Sequence, residues 1–312
     1  MKQANLKYDV IIPLAKKDVN FVHWVVEYVR LNFVDAQSIY IITNASLFPK
    51  LKKMEQRGEC VLIDENKMLE GLSYSSVCDA VVAKNQRAGI TGHYFEQFLK
   101  MGFSLTPYCK DFYLSWDSDT IPLNNIDFFR NEHPLFAKKK EYRKRYFEVM
   151  EKVLGIGRQM DASFIAEHMM FKASIMREII TEMDKRADKG RNWWQSMVDC
   201  TDETREDENI ISEFEMYGSY CMVNYPGMYE FHDIKTLRHA GYIRGRHINK
   251  RLIRMLAYDL DIATFEIYDS PFGFTRYIIF LKKVIGVLSK HKIAEWPSAI
   301  FKLLKGEYVS KL

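Results

Sequence analysis

The sequence holds five cysteines, Cys60, Cys78, Cys109, Cys200 and Cys221, and no two of them stand in a C-x-x-C spacing. An odd number without ligand spacing argues against both a disulfide framework and a structural zinc site, so the thiols read as core side chains. A run of eighteen apolar residues is also missing. The most apolar late stretch, YIIFLKKVIGVL over 277–288, is cut by Lys282 and Lys283, which argues against a membrane span. The N-terminal MKQANLKYDVIIPL has Asp9 and Pro13 within its apolar run and no small-residue cleavage site behind it. It is unlike a secretory signal, and a cytoplasmic protein is expected. Neither charge dominates: 45 basic residues face 41 acidic ones, which excludes nucleic acid as a main partner. Internal repeats and low-complexity linkers are absent.

What the chain does have is apolar material, 47% hydrophobic and 14% aromatic over 312 residues, enough to fill a substantial core. The runs YDVIIPL (8–14), SIYIITN (38–44) and CVLIDE (60–65) read as buried strands. Between them, Phe21, Val25, Val26, Tyr28 and Val29 fall at helical spacing after Asp18 and Asn20, and LFPKLKKMEQRG (47–58) ends on a C-terminal glycine. Alternating strands and helices predict a parallel sheet with right-handed crossovers. YFEQFLKMGF (94–103) reads as a helix before the further strand FYLSWDSD (112–119), and the second half is more helical, over 142–154, 172–186 and 209–224, with a strand at 163–171. The expected class is α/β, a mixed and mostly parallel central sheet flanked by helices. The expected organisation is a nucleotide-binding half over about 1–125, an acceptor half over about 126–248, and a helical extension over 249–312.

The stretch DFYLSWDSDTIP (111–122) carries a hydrophobic strand into two carboxylates, Asp117 and Asp119. Strand alternation would point both the same way, where they repel unless a cation lies between them. In an open parallel sheet, ligands collect beyond the carboxyl ends of the strands. Two such aspartates suit a hard divalent cation, Mg²⁺ or Mn²⁺, whose remaining coordination would come from a diphosphate.

On WDSDT (116–120) and the preceding βαβ pattern, the chain resembles the GT-A class of nucleotide-sugar glycosyltransferases. It resembles more closely a group of bacterial glycosyltransferase-like proteins, on GHYFEQFLK (92–100), WDSDT and SEFEMYG (212–218), across most of 8–245. The resemblance implies that Asp119 holds the metal, with Asp117 second, and that a late histidine completes the shell. His239 in TLRHAGYIRG fits that place, with His232 behind it. The acidic segment around SEFEMYG supplies the base for an acceptor hydroxyl, Glu213 first and Asp207 next. The loop PLAKKD (13–18) stands where the nucleoside is held, so Pro13, Lys16 and Asp18 are candidate donor contacts, as are Lys100 and Trp116. His168 is a further candidate at a strand end, although a packed histidine is the commoner case.

The expected function is metal-dependent transfer of a sugar from a UDP- or GDP-sugar to a glycan or lipid-linked saccharide, in the assembly of a bacterial surface polysaccharide. Two rival readings are a catalytically silent sugar-nucleotide or glycan-binding subunit and a phosphatase of the haloacid dehalogenase type. The second of these is disfavoured because Ile121 stands where its threonine would be. The lysine-rich, apolar tail FTRYIIFLKKVIGVLSKHKIAEWPSAIFKLLKG (274–306) could lie on an anionic membrane surface or pack on the domain.

Overall fold

The structure, a computed structural model, describes residues 6–84, 86–201 and 209–271, together with 284, 285 and 288. The alternating first half forms β1 (Tyr8–Pro13), α1 (Val22–Asn32), β2 (Ala36–Thr43), α2 (Phe48–Gln56) and β3 (Val61–Asp64). Helices α3 (Tyr74–Ala83) and α4 (Thr91–Gly102) precede β4 (Phe112–Trp116). The short strands β5 (Thr120–Pro122), β6 (Phe129–Arg130) and β7 (His133–Ala137) lead to α5 (Lys144–Leu154) and β8 (His168–Lys172). Then come α6 (Ala173–Arg186), α7 (Trp193–Asp199) and α8 (Glu213–Asn224), followed by β9 (Glu230–His232), β10 (Thr236–Leu237), α9 (Gly241–Arg244), α10 (Lys250–Leu256) and β11 (Ile262–Thr264).

The main sheet has the order β3-β2-β1-β4-β8. Its first four strands pair in parallel, and β8 closes the edge antiparallel to β4, with Trp116 opposite His168. Both faces are covered, so the strands read as continuous apolar runs instead of alternating ones. Val10, Ile12, Leu114 and Trp116 point into a core shared with α1, α2 and α10, while Ile11 and Tyr113 point into the core built with α3 to α8. Helix α3, which adds to the elements read from the sequence, starts on a capping box in which the Ser73 hydroxyl accepts from the Ser76 amide at 3.1 Å. All five cysteines are free thiols.

Two small sheets, β10-β11-β5 and β6-β7-β9, flank the main one. Residues 249–271, expected to begin a helical extension, contribute α10 and also β11, whose Thr264 pairs with Thr120 directly after the second aspartate. The tail stretch 274–306 lies outside the described residues apart from its three isolated positions. Among the described residues no helix is long and apolar enough to cross a membrane.

Candidate functional site

The strand order reverses between β1 and β4: the chain steps outward from β1 to β2 to β3, then returns to the other side of β1. Such a switch point opens a crevice at the carboxyl ends of the strands. Asp117 immediately follows β4 there. The pair is not on a strand, however. The Thr120 amide donates to the Asp117 carbonyl at 3.2 Å, so residues 117–120 form a turn, and the alternation that would aim both carboxylates the same way does not apply.

Instead, each aspartate meets a different cation, buried Lys100 or half-buried Arg246. Lys100, near the end of α4, places Nζ 3.3 Å from Asp117 Oδ1, 3.1 Å from Glu213 Oε1 and 3.2 Å from Glu96 Oε1. Arg246, on the segment after α9, places one nitrogen 2.7 Å from Asp18 Oδ1 and another 3.8 Å from Asp119 Oδ2. It also donates to the carbonyls of Phe265 at 2.8 Å and Lys17 at 3.2 Å, and its guanidinium lies 5.0 Å from the Phe21 ring centre. The Ser118 hydroxyl donates to Asp18 at 3.0 Å, and the Phe265 amide donates to the Asp119 carbonyl at 2.9 Å. One arginine thereby ties the loop after β1, the aspartate turn and the end of β11 into one block.

The carboxylates outnumber the cations. Partial burial raises Asp117 above its ordinary value, with Lys100 pulling it down and Glu96, Asp119 and Glu167 adding to the rise. Burial likewise pushes Asp119 up to about 7, reinforced by Glu266 and Asp18 against the pull of Lys17 and Arg246. Lys100 stays well above its ordinary value: burial acts to lower it, and the charges of Glu213, Asp117 and Glu96 outweigh that.

A cavity of about 270 Å³ opens beside this cluster at the carboxyl ends of β1 and β2. Pro13 to Lys16, Thr43, Asn44, Glu65, Tyr74, Gly92 and Glu96 line it. Glu96 therefore faces the cavity and also holds Lys100, joining the two features. A cavity of about 300 Å³ lies at the opposite end of the strands among Tyr8, Val34, Asp35 and Phe128, away from both aspartates. Volume does not single out the site; the switch point and its charges do.

The remaining sequence candidates fall as follows. Pro13 and Lys16 line the cavity, whereas Asp18 is buried and occupied by Arg246 and Ser118. Lys100 is buried and faces the carboxylates of Glu96, Asp117 and Glu213. Trp116 is not a ligand contact: it is fully buried, its Nε1 donates to the Thr120 carbonyl at 2.7 Å, and it stacks on His168 at 5.1 Å. It is a pillar beneath the turn. His168 lies in the core and not in the cleft, and burial holds it neutral, helped by His232 and Lys139. His239 is half exposed, and its Nδ1 lies 3.0 Å from Asp269, which also accepts from the Gly241 amide. Glu213 is only 4% exposed and faces Lys100, so an acceptor hydroxyl does not reach it in this arrangement. Asp207 lies outside the described residues. Arg246 and Glu266 are site residues that the sequence reading lacks. Glu96 is a third, and its signal was legible as an i, i+4 acid–base pair with Lys100.

Among the described residues, no group of three or more histidine, cysteine, aspartate or glutamate side chains is gathered to hold a metal. The donor chemistry at the turn nevertheless fits a hard divalent cation. Two carboxylates lie within one turn, both raised first by burial and further by neighbouring carboxylates, and a cation sharing them with an anionic ligand would offset both effects.

No protein-family model matches the chain, and no curated protein matches it. Among solved structures, mouse xyloside xylosyltransferase 1 in its apo form is similar over 86% of this chain and 100% of its own, at 12% identity and a TM-score of 0.47. The galactosyltransferase LgtC, in complex with donor and acceptor sugar analogs, is similar over 88% of this chain and 95% of its own, at 9% identity and a TM-score of 0.40. For the bifunctional WbbM apo structure the shares are 85% and 47%, at 12% identity and a TM-score of 0.42. All three of these scores lie under 0.5.

Proposed function

We propose that the protein is a metal-dependent glycosyltransferase that moves a sugar from a nucleotide-diphosphate sugar to a glycan or lipid-linked saccharide. The observation that carries this reading is the turn holding Asp117 and Asp119 at the β1/β4 switch point, short of positive charge and joined through Glu96 to a cavity. A nucleoside would enter that cavity along Pro13 to Lys16, which brings its diphosphate toward the aspartate turn. Asp119 with Asp117 would hold Mn²⁺ or Mg²⁺, which would stabilise the charge developing on the departing nucleoside diphosphate, and His239 would have to leave Asp269 to join them.

The chain's own groups do the rest. Arg246 fixes the aspartate turn against the loop after β1, so the donor seat is formed before the ligand arrives. Glu213 remains the proposed base; being buried against Lys100, it has to part from that lysine when the acceptor enters. The resemblance set out above adds surface-polysaccharide assembly as the setting and a UDP- or GDP-sugar as the donor. Attachment to a membrane through the tail belongs to the same proposal.

A thermal-shift panel of UDP, GDP, CMP and their sugars, with and without Mn²⁺, tests the reading. Ligand at about a hundred times its dissociation constant adds roughly 2.7 kcal/mol of stability. The expected result is a Mn²⁺-dependent shift with one nucleotide, lost in Asp119→Ala. It should also be lost in Gly92→Leu, which adds a side chain at the cavity wall where a Cβ meets no atom within 4 Å. No shift with any nucleotide would overturn the proposal, and a shift without turnover of any acceptor would favour the silent binding subunit.

A further inference from the structure

Lysine is seldom buried, because removing an ammonium from water costs several kcal/mol unless it is paired. The Lys100 side chain is 7% exposed. Its three N–H donors meet three carboxylates from three parts of the chain: Glu96 one turn earlier on α4, Asp117 after β4, and Glu213 as the first residue of α8. Its Nζ also lies 4.8 Å from the Phe214 ring centre. Lys100 sits near the C-terminal end of α4 and Glu213 at the N-terminal end of α8, so each charge opposes the dipole of its own helix end. With all three donors taken, Lys100 has none left for a phosphate.

From this geometry we infer that Lys100 is a positioning residue with two linked effects: it fixes Asp117 relative to Glu213, and it competes with a divalent cation for Asp117. About a third of the Asp117 side chain is exposed while Oδ1 is held from within, so a cation arriving from the open side shares that carboxylate with the ammonium. The inference rests on the metal-dependent reading above. It extends that reading by assigning the lysine to Asp117 and Glu213 in place of the donor phosphates, and by giving it a restraining effect on metal affinity.

The test is titration of the full, metal-free chain with Mn²⁺ alone, following free Mn²⁺ by electron paramagnetic resonance. Lys100→Met removes the competitor and leaves three carboxylates, so it should bind Mn²⁺ about tenfold more tightly, the effect of deleting one nearby unit charge. Lys100→Arg, which keeps the charge, should stay near wild type. A lysine that merely supports the fold would not tighten metal binding when lost, so equal or weaker binding by Lys100→Met overturns the inference. So does an arginine variant that behaves like the methionine one. If Lys100→Met does not fold, Glu213→Gln serves: the ammonium then leans on Asp117, and Mn²⁺ affinity should fall severalfold, unchanged affinity overturning the inference. A wild type that shifts with a nucleotide but binds no Mn²⁺ would overturn both this inference and the metal dependence, while leaving nucleotide binding in place.

Discussion

Replacing Asp119 by asparagine should stabilise the metal-free protein at the very position where it removes function. Burial and the nearby Glu266 and Asp18 carry this carboxyl from its ordinary 3.8 to about 7. An acid raised in the folded state binds its proton more tightly there than in the unfolded chain. Its contribution therefore costs stability as pH rises from about 4, and the cost is complete once pH passes 7. The shift spans about three pH units, and at about 1.4 kcal/mol per unit the full cost approaches 4 kcal/mol. Asparagine avoids that cost, and the pull of Arg246 at 3.8 Å is already part of the shift. The net gain is about 4 kcal/mol at pH 8, shrinking to about 1–2 kcal/mol at pH 5. At about 2.1 cal/mol/K of unfolding entropy per residue, 4 kcal/mol raises Tm by about 6 °C in a chain of this size. Calorimetry of both proteins in chelator at pH 5 and pH 8 measures it, and added Mn²⁺ should reverse the order at pH 8 by stabilising the wild type alone. A variant less stable than wild type in chelator at pH 8 would refute the claim that uncompensated charge dominates this turn.

Two further outcomes follow from the core. Neither ring nitrogen of buried His168 has a hydrogen-bond partner among the described residues, and its pKa is held well below the ordinary 6.5, so the unfolded chain takes up a proton that the folded one refuses. His168→Phe should gain on wild type by about 1.4 kcal/mol per pH unit below 6.5, and denaturation curves at pH 7 and pH 5.5 that differ by the same amount for both proteins would contradict this. At Gly218 a Cβ would come within 2.3 Å of the buried Phe164 ring, so Gly218→Ala should cost about 1–3 kcal/mol in urea unfolding, and an unchanged midpoint would mean the ring moves freely.

Much of the scaffold was legible from apolar runs. The strands at Tyr8 and Phe112 are buried along their whole length and the one at Ala36 over its last five residues, and such strands announce themselves as unbroken hydrophobic stretches, whereas the edge strand at Val61 buries only Ile63. Short strands such as β5 and β11 carry no comparable signal, because two or three residues cannot establish a period. The aspartates were found from their position after a strand, but their orientation was misread: strand periodicity ends where the turn begins, at Asp117. Trp116 shows the opposite limit, since an aromatic beside a polar motif is equally suited to stacking on a ligand or supporting the loop, and only its burial separates the two. Arg246 sits in a basic run that reads as surface, and nothing local marks the one arginine that turns inward to Asp18 and Asp119.

The pairing of β11 with β5 also bears on the order in which the molecule can be built. The hydroxyls of Thr120 and Thr264 lie 2.9 Å apart across 144 residues of chain. At about 5–20 residues per second, a ribosome needs roughly 7 to 30 s to deliver the second after the first. In that interval the parallel strands can already pair, yet the turn bearing Asp117 and Asp119 lacks both the strand that borders it and the arginine that anchors it. A nascent chain at that stage can have its parallel strands paired while the aspartate turn is still unbraced, so that turn is completed only after residue 264 has been made.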